Sequence, residues 1–192
     1  MACGPWSTAP SRASRSGPNK PKIVFADQIT HMTDDEEYIR RAMGLAEAAA
    51  ACGDVPIGAV LVSGELVLEA KNEKELRPDA TAHAEMILLR EAAARLGVWR
   101  LSEATIYVTK EPCVMCAGAM IAARIKRVVY GARDPKGGAD GGAFDILRSS
   151  KTNHRLEVTA GVLEDETAAQ LQRFFRQKRQ APAREGFADE MR

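Results

Sequence analysis

Two short stretches hold the residues that could do chemistry. Thr81-Ala82-His83-Ala84-Glu85 offers an imidazole and, two residues on, a carboxylate. Glu111-Pro112-Cys113-Val114-Met115-Cys116 offers a proline followed by two thiols at C-x-x-C spacing. One imidazole and two thiolates are a donor set that suits zinc. A catalytic zinc takes three protein ligands and keeps its fourth position for water, whose pKa it lowers towards roughly 7. His83, Cys113 and Cys116 are therefore the expected ligands of one Zn2+. Glu85 is the expected acid–base residue, close enough to exchange protons with that water.

A C-x-x-C pair alone would also fit a redox dithiol or half of a structural zinc site. A redox dithiol has no use for the upstream H-A-E. A structural zinc site needs a fourth ligand, and the remaining candidates, Cys3, Cys52, His31 and His154, lie in unpromising positions. The composite spacing H-x-E…P-C-x-x-C is that of the zinc-dependent deaminases. Both halves must open helices. Pro112 favours a first helical turn, Val114 to Ala123 reads as the helix behind it, and its N-terminal dipole favours thiolates. His83 and Glu85 open an alanine- and leucine-rich helix running to about Leu96.

The other elements follow in chain order. Thr33-Asp34-Asp35-Glu36 is a capping box ahead of an apolar stripe through Tyr38, Ile39, Ala42, Met43, Leu45, Ala46 and Ala49, and Gly53 is the expected stop. Val55 to Val62 and Leu66 to Ala70 read as a hairpin across Ser63-Gly64-Glu65. Asn72 to Ala80 is a polar loop leading into the H-A-E helix. Ala104 to Thr109 is a strand that feeds the second motif, and Arg127 to Gly131 is the strand after it. Ala132 to Ala143 is glycine-rich, lacks the ending of a phosphate-binding loop, and reads equally as a mobile surface loop beside a ligand site or as a plain connector. Leu156 to Val162 is a last strand, and Glu164 to about Arg179 an amphipathic helix. Alternation of strand and helix predicts an α/β domain with parallel pairing.

The chain has 192 residues, enough for one domain with a sizeable core. Its formal net charge is only +1, so contact with a nucleic acid would need a local basic patch. The interleaved aromatics and cations of Arg173-Phe174-Phe175-Arg176-Gln177-Lys178-Arg179 suit a nucleic-acid backbone, but on composition alone a helix with Phe buried and Arg solvated is the favoured reading. The four cysteines give no disulfide framework, which predicts a reducing cytoplasm, and no apolar run approaches a membrane span. Residues 1–31 hold four prolines and are expected to be a disordered extension, with an organelle transit peptide or a start at Met32 as alternatives. Residues 32–180 are the expected folded domain and 181–192 a disordered tail.

From about Asp34 to Gln180 the chain resembles the bacterial tRNA-specific adenosine deaminases. The resemblance rests on Val55-Pro56-Ile57-Gly58-Ala59-Val60, Asp79 to Glu85, Glu111 to Met120, Tyr130-Gly131-Ala132-Arg133-Asp134, Asn153-His154-Arg155 and Phe174-Phe175-Arg176. It implies a three-layer α/β/α cytidine-deaminase-like fold with a mixed five-stranded sheet. It implies a homodimer that converts the wobble adenosine of a tRNA anticodon stem-loop to inosine. Carried over by position, His83, Cys113 and Cys116 match the zinc ligands and Glu85 the proton shuttle. Asn72 matches a nucleoside contact, Arg133 and Asp134 fall in the anticodon-contacting loop, and Phe174 and Arg176 on the C-terminal helix near the substrate strand. Lys110, where the family has an apolar residue, and the glycines at 137 and 138 depart from the pattern. The competing readings are a deaminase of free guanine, cytosine or cytidine, and a zinc-stabilised RNA-binding module without turnover.

Overall fold

The computed structural model describes the backbone of Val24–Phe25 and residues 35–180. The proposed disorder of the rest of 1–31 and of 181–192, and the Thr33 cap, lie outside the described residues. The elements in order are β1 (Val24–Phe25), α1 (Asp35–Ala51), β2 (Gly58–Ser63), β3 (Leu66–Lys71), α2 (Ala84–Leu96), β4 (Thr105–Lys110), α3 (Val114–Ala122), β5 (Arg127–Ala132), β6 (Glu157–Ala160) and α4 (Glu164–Gln180).

One sheet runs in the order β1-β3-β2-β4-β5-β6. The β2–β3 hairpin and the β2–β4 pair are antiparallel, while β4–β5 and β5–β6 are parallel. The expected mixed five-stranded sheet is thus β2 to β6. Within the segment expected to be disordered, β1 adds two antiparallel residues beside β3.

Helices cover both faces, so the strands are apolar on both sides and alternate between two cores. Ala59, Leu61, Leu68, Ile106, Val108, Val128 and Tyr130 pack with Ala84, Leu88, Ala117 and Met120 of α2 and α3. The intervening Val60, Val67, Tyr107 and Val129 pack with Ile39 and Ala42 of α1. On that second face Gln170 of α4 donates to the Met43 carbonyl of α1 at 3.0 Å. Arg127 of β5 forks onto the Asp35 carboxylate at 2.9 and 2.7 Å. The alanines of α1 let it lie close to the sheet. A Cβ on Gly58 would sit 2.0 Å from the Ala42 carbonyl oxygen, so only glycine fits where that helix crosses β2.

Gly53, at φ +80°, follows α1 as the sequence predicts. Three expectations change. Val55 to Ile57 are not strand. The Asp54 carboxylate accepts the N–H groups of Val55 and Glu75 at 2.8 Å each, and this holds the segment in a turn before β2 begins. The last strand is only Glu157–Ala160, because Gly161 (φ +81°) and Leu163 (φ +53°) leave the extended region. The third concerns the glycine-rich loop and belongs with the site.

Candidate active site and metal centre

Both motifs arrive at helix starts. His83 is the N-cap of α2 and Cys113 the N-cap of α3, each with extended backbone and neither capping with its own side chain. Both side chains are therefore free to face a shared space. Asn72, one residue past β3, takes over the capping of α2: its buried Oδ1 accepts the Ala84 N–H at 3.0 Å. Pro112 stands before the N-cap rather than in the first turn of α3, since that helix begins at Val114. Its carbonyl accepts the N–H of Ala139 at 3.0 Å, so it fixes the next loop as well as the entry to the helix. Cys116, fully buried in the first turn of α3, points to the same side as Cys113.

The three donors converge. His83 Nδ1 lies 3.5 Å from Cys116 Sγ and 3.7 Å from Cys113 Sγ, and all three atoms fall within 4.8 Å of one another. Tetrahedral bonds of ordinary zinc–sulfur and zinc–nitrogen length would separate S and N by about 3.5 Å. The donor set and its spacing thus fit a four-coordinate ion with one position left over. One of the two thiols is already biased towards binding a cation. Hydrogen bonding from Cys116, and then from His83, holds the Cys113 thiol down at about 3. Cys116, as donor and more deeply buried, is pushed up. The hydrogen bond to Cys113 raises the imidazole of His83.

Glu85 is 3% exposed on the first turn of α2, and its Oε2 has no hydrogen-bond partner. Burial pushes its carboxyl pKa up. A buried acceptor left unpaired costs on the order of 1–3 kcal/mol, so such an atom beside a donor cluster marks a place built for a missing partner. The other candidate ligands among the described residues are engaged elsewhere. His154 meets the Ile125 carbonyl at 2.7 Å, and Cys52 is exposed beside Lys71. His83, Cys113 and Cys116 form the metal-capable cluster among the described residues.

The site sits at the C-terminal ends of β4 and β5, where α/β folds place ligands. Here the glycine-rich loop departs from expectation. Gly138, Ala139 and Asp140 are buried, not mobile surface. Gly138 forms a bridge to Cys113, and the Ala139 N–H binds Pro112. Glu111, 3% exposed, accepts the N–H groups of Asp134 and Asp140 at 2.8 Å each. Asp140 in turn accepts from Tyr130 at 2.9 Å and from both nitrogens of the Arg148 fork. The glycines are there for space: a Cβ on Gly138 would lie 2.2 Å from the Glu111 carboxyl carbon, and one on Gly142 2.4 Å from the Asp134 carbonyl oxygen. Sequence reasoning passed over Glu111 and Asp140 as anchors. The one available signal was the place of Asp140 between two glycine pairs, and nothing local marked Glu111.

Asp134 lies on this loop, ion-paired to Lys110. Arg133 is exposed, with a guanidinium nitrogen 3.4 Å from the Tyr130 hydroxyl. Phe174 and Arg176 lie on α4, across the sheet from α2 and α3, with Phe174 set edge-on to Phe175 at 5.4 Å.

One imidazole and two thiols at two helix starts, beside a buried glutamate with one unpaired oxygen, define the class of metal-dependent nucleobase deaminases. The sequence profile of the MafB19-like deaminases matches residues 33–179. A tRNA-specific adenosine deaminase of Bacillus subtilis is 49% identical over 149 residues, 77% of this chain and 92% of that protein. One from Haemophilus influenzae is 47% identical over 148 residues, 76% of this chain and 86% of that protein. A solved structure from a study of A-to-I editing by tRNA:A34 deaminases superposes with a TM-score of 0.66 at 40% identity, covering 70% of this chain and 98% of that one. A guanine deaminase from Nitrosomonas europaea, at 23% identity and TM-score 0.64 over 81% of this chain and 88% of that one, shares the fold alone. The chain belongs to the MafB19-like deaminases and to the family of tRNA-specific adenosine deaminases.

Proposed function

We propose that this protein is a zinc-dependent hydrolytic deaminase that converts the wobble adenosine of tRNA anticodons to inosine and releases ammonia. The observation that carries the chemistry is the unpaired, buried Oε2 of Glu85 beside three converging donors. Nearly full-length similarity to two proteins named for tRNA adenosine deamination supports the substrate.

His83, Cys113 and Cys116 would hold one zinc ion per subunit. Bound there, zinc supplies Lewis acidity and makes a nucleophilic water available near neutral pH. Glu85 accepts the proton of the attacking water and delivers it to the ring nitrogen beside the amino-bearing carbon. It then protonates the departing amine. The Asn72 carbonyl oxygen is committed to α2, which leaves its amide nitrogen to hold the nucleoside. Arg133 and Asp134 contact the anticodon on a loop that Glu111 fixes against the metal motif. The target base is flipped out of a single-stranded loop, where unstacking costs little.

In this reading residues 32–180 form the deaminase domain, the enzyme is a homodimer, and it works in the cytoplasm. No helix of the described residues is long and apolar enough to cross a membrane. The test is inosine formation at the wobble position of an anticodon stem-loop, with wild type and Glu85→Ala compared and free guanine and cytosine assayed in parallel. The variant should be slower by roughly 10²- to 10⁴-fold while keeping its zinc. Equal rates, or activity confined to the free bases, would refute the assignment.

A further inference from the structure

Phe144 is an exposed aromatic side chain close in the fold to the metal motif, where Val114 is also exposed. It is 52% exposed, just past the glycine-rich loop. Its backbone is fixed despite that. The Phe144 N–H donates to the Gly138 carbonyl at 3.0 Å, and its carbonyl accepts from Gly141 at 2.9 Å. Gly138 is itself bridged to Cys113. Three backbone segments, at 113, 138 and 144, therefore lie side by side, and neighbouring strands are about 4.8 Å apart. This puts Phe144 about two strand spacings from a metal-ligating residue. Three residues on, Leu147 is buried in the main core and ties the segment down from the other side.

The loop carries exposed cations, with one exposed carboxylate, Asp145, next to the ring in sequence. Arg133 and Lys136 are exposed on the same loop and ion-paired with nothing among the described residues. Two of the local acids are already matched, Asp134 to Lys110 and Asp140 to Arg148, which leaves Asp145 against the two cations. A fixed, solvent-facing ring among free cations is the arrangement by which proteins hold single-stranded nucleic acid, with bases stacked on aromatics and phosphates on the cations.

We infer that Phe144 is a stacking platform for an unpaired base flanking the reacting adenosine, with Arg133 and Lys136 holding the adjoining phosphates. This rests on the RNA-deaminase reading above. Phe144 offers no metal donor and no titratable group, so it serves grip and register, not chemistry.

The test uses full-length, zinc-loaded protein and an anticodon stem-loop carrying 2-aminopurine beside the wobble base. Wild type should quench the probe on binding as the ring stacks on it. Phe144→Ala should weaken binding by about tenfold, within the range for losing one stacked base, and should lose the quench. Its kinetic loss should fall on KM more than on kcat. Phe144→Trp should restore both affinity and quench, which a merely structural role would not. Wild-type affinity in Phe144→Ala, or a loss that Phe144→Trp does not rescue, overturns the inference. Failure of wild type to form inosine overturns the functional reading instead, and is seen before any variant is compared.

Discussion

Lys110 and Glu111 are neighbours in sequence that hold Asp134 by opposite means. Glu111 accepts its backbone N–H, and Lys110 pairs with its side chain. Burial pushes the Asp134 carboxyl up, but the Lys110 ammonium and the N–H groups of Lys136 and Gly137 outweigh it and hold the pKa below the usual 3.8. A carboxyl depressed in the folded state adds stability above its unfolded pKa and loses it as the pH falls through the folded one. Lys110→Met should therefore destabilise by about 0.5–1 kcal/mol at neutral pH, as a partly exposed pair would. The gap should close below roughly pH 4. Urea unfolding of both proteins between pH 3 and 7 measures it, and a gap independent of pH would show that packing of the lysine stem, not the charge, is what matters.

The loop from Arg133 to Phe144 behaves as an element although it has no regular structure. Its cohesion comes from carboxylates under its backbone, where helices and strands use their own ladders. Glu111→Gln keeps the shape but sets an amide NH2 against one of two N–H donors. Hydrogen bonds to charged groups contribute about 1.5–3 kcal/mol, so the variant should lose stability on that scale. Hydrogen exchange should report faster amide exchange at Asp134 and Asp140, with zinc retained; protection unchanged at both would refute the anchoring role. This is also where the sequence stopped being informative. The partners of Glu111 lie 23 and 29 residues away, and nothing local to a carboxylate says which donors it will meet. The same limit explains Val55-Pro56-Ile57. The run is as apolar as a strand, and only the distant Glu75 N–H on Asp54 reveals that it turns. Elements with a strong period were legible: α1, the β2–β3 hairpin, α2 and α4 fall within a few residues of where their patterns put them. The donor residues were legible for another reason. Zinc chemistry restricts residue type and spacing so tightly that His83, Cys113 and Cys116 stood out before any fold was known.

At the scale of the whole molecule, the sheet separates two cores, only one of which borders the cluster that could hold a metal. Atoms of α2 and α3 supply the donors, and they sit on one face; α1 and α4 close the other. His83 and Cys113 are 30 residues apart, and the fold alone must bring those helix starts together. It does so with a cluster of one imidazole and two thiols whose protons a cation would displace. An ion that binds this cluster and not the unfolded chain stabilises the protein by mass action, about 4 kcal/mol at a thousandfold excess over its Kd. That gain is anchored at two helix N-termini, so its removal should be felt first there. Chelation should lower Tm and strip hydrogen-exchange protection from the first turns of α2 and α3 and from the loop at Gly138. Protection in α1 and α4 should persist until the whole domain opens. Stoichiometric zinc should reverse both changes. A chelated protein with unchanged Tm, or one that loses protection uniformly on both faces, would mean that the cluster is not where a metal stabilises this fold.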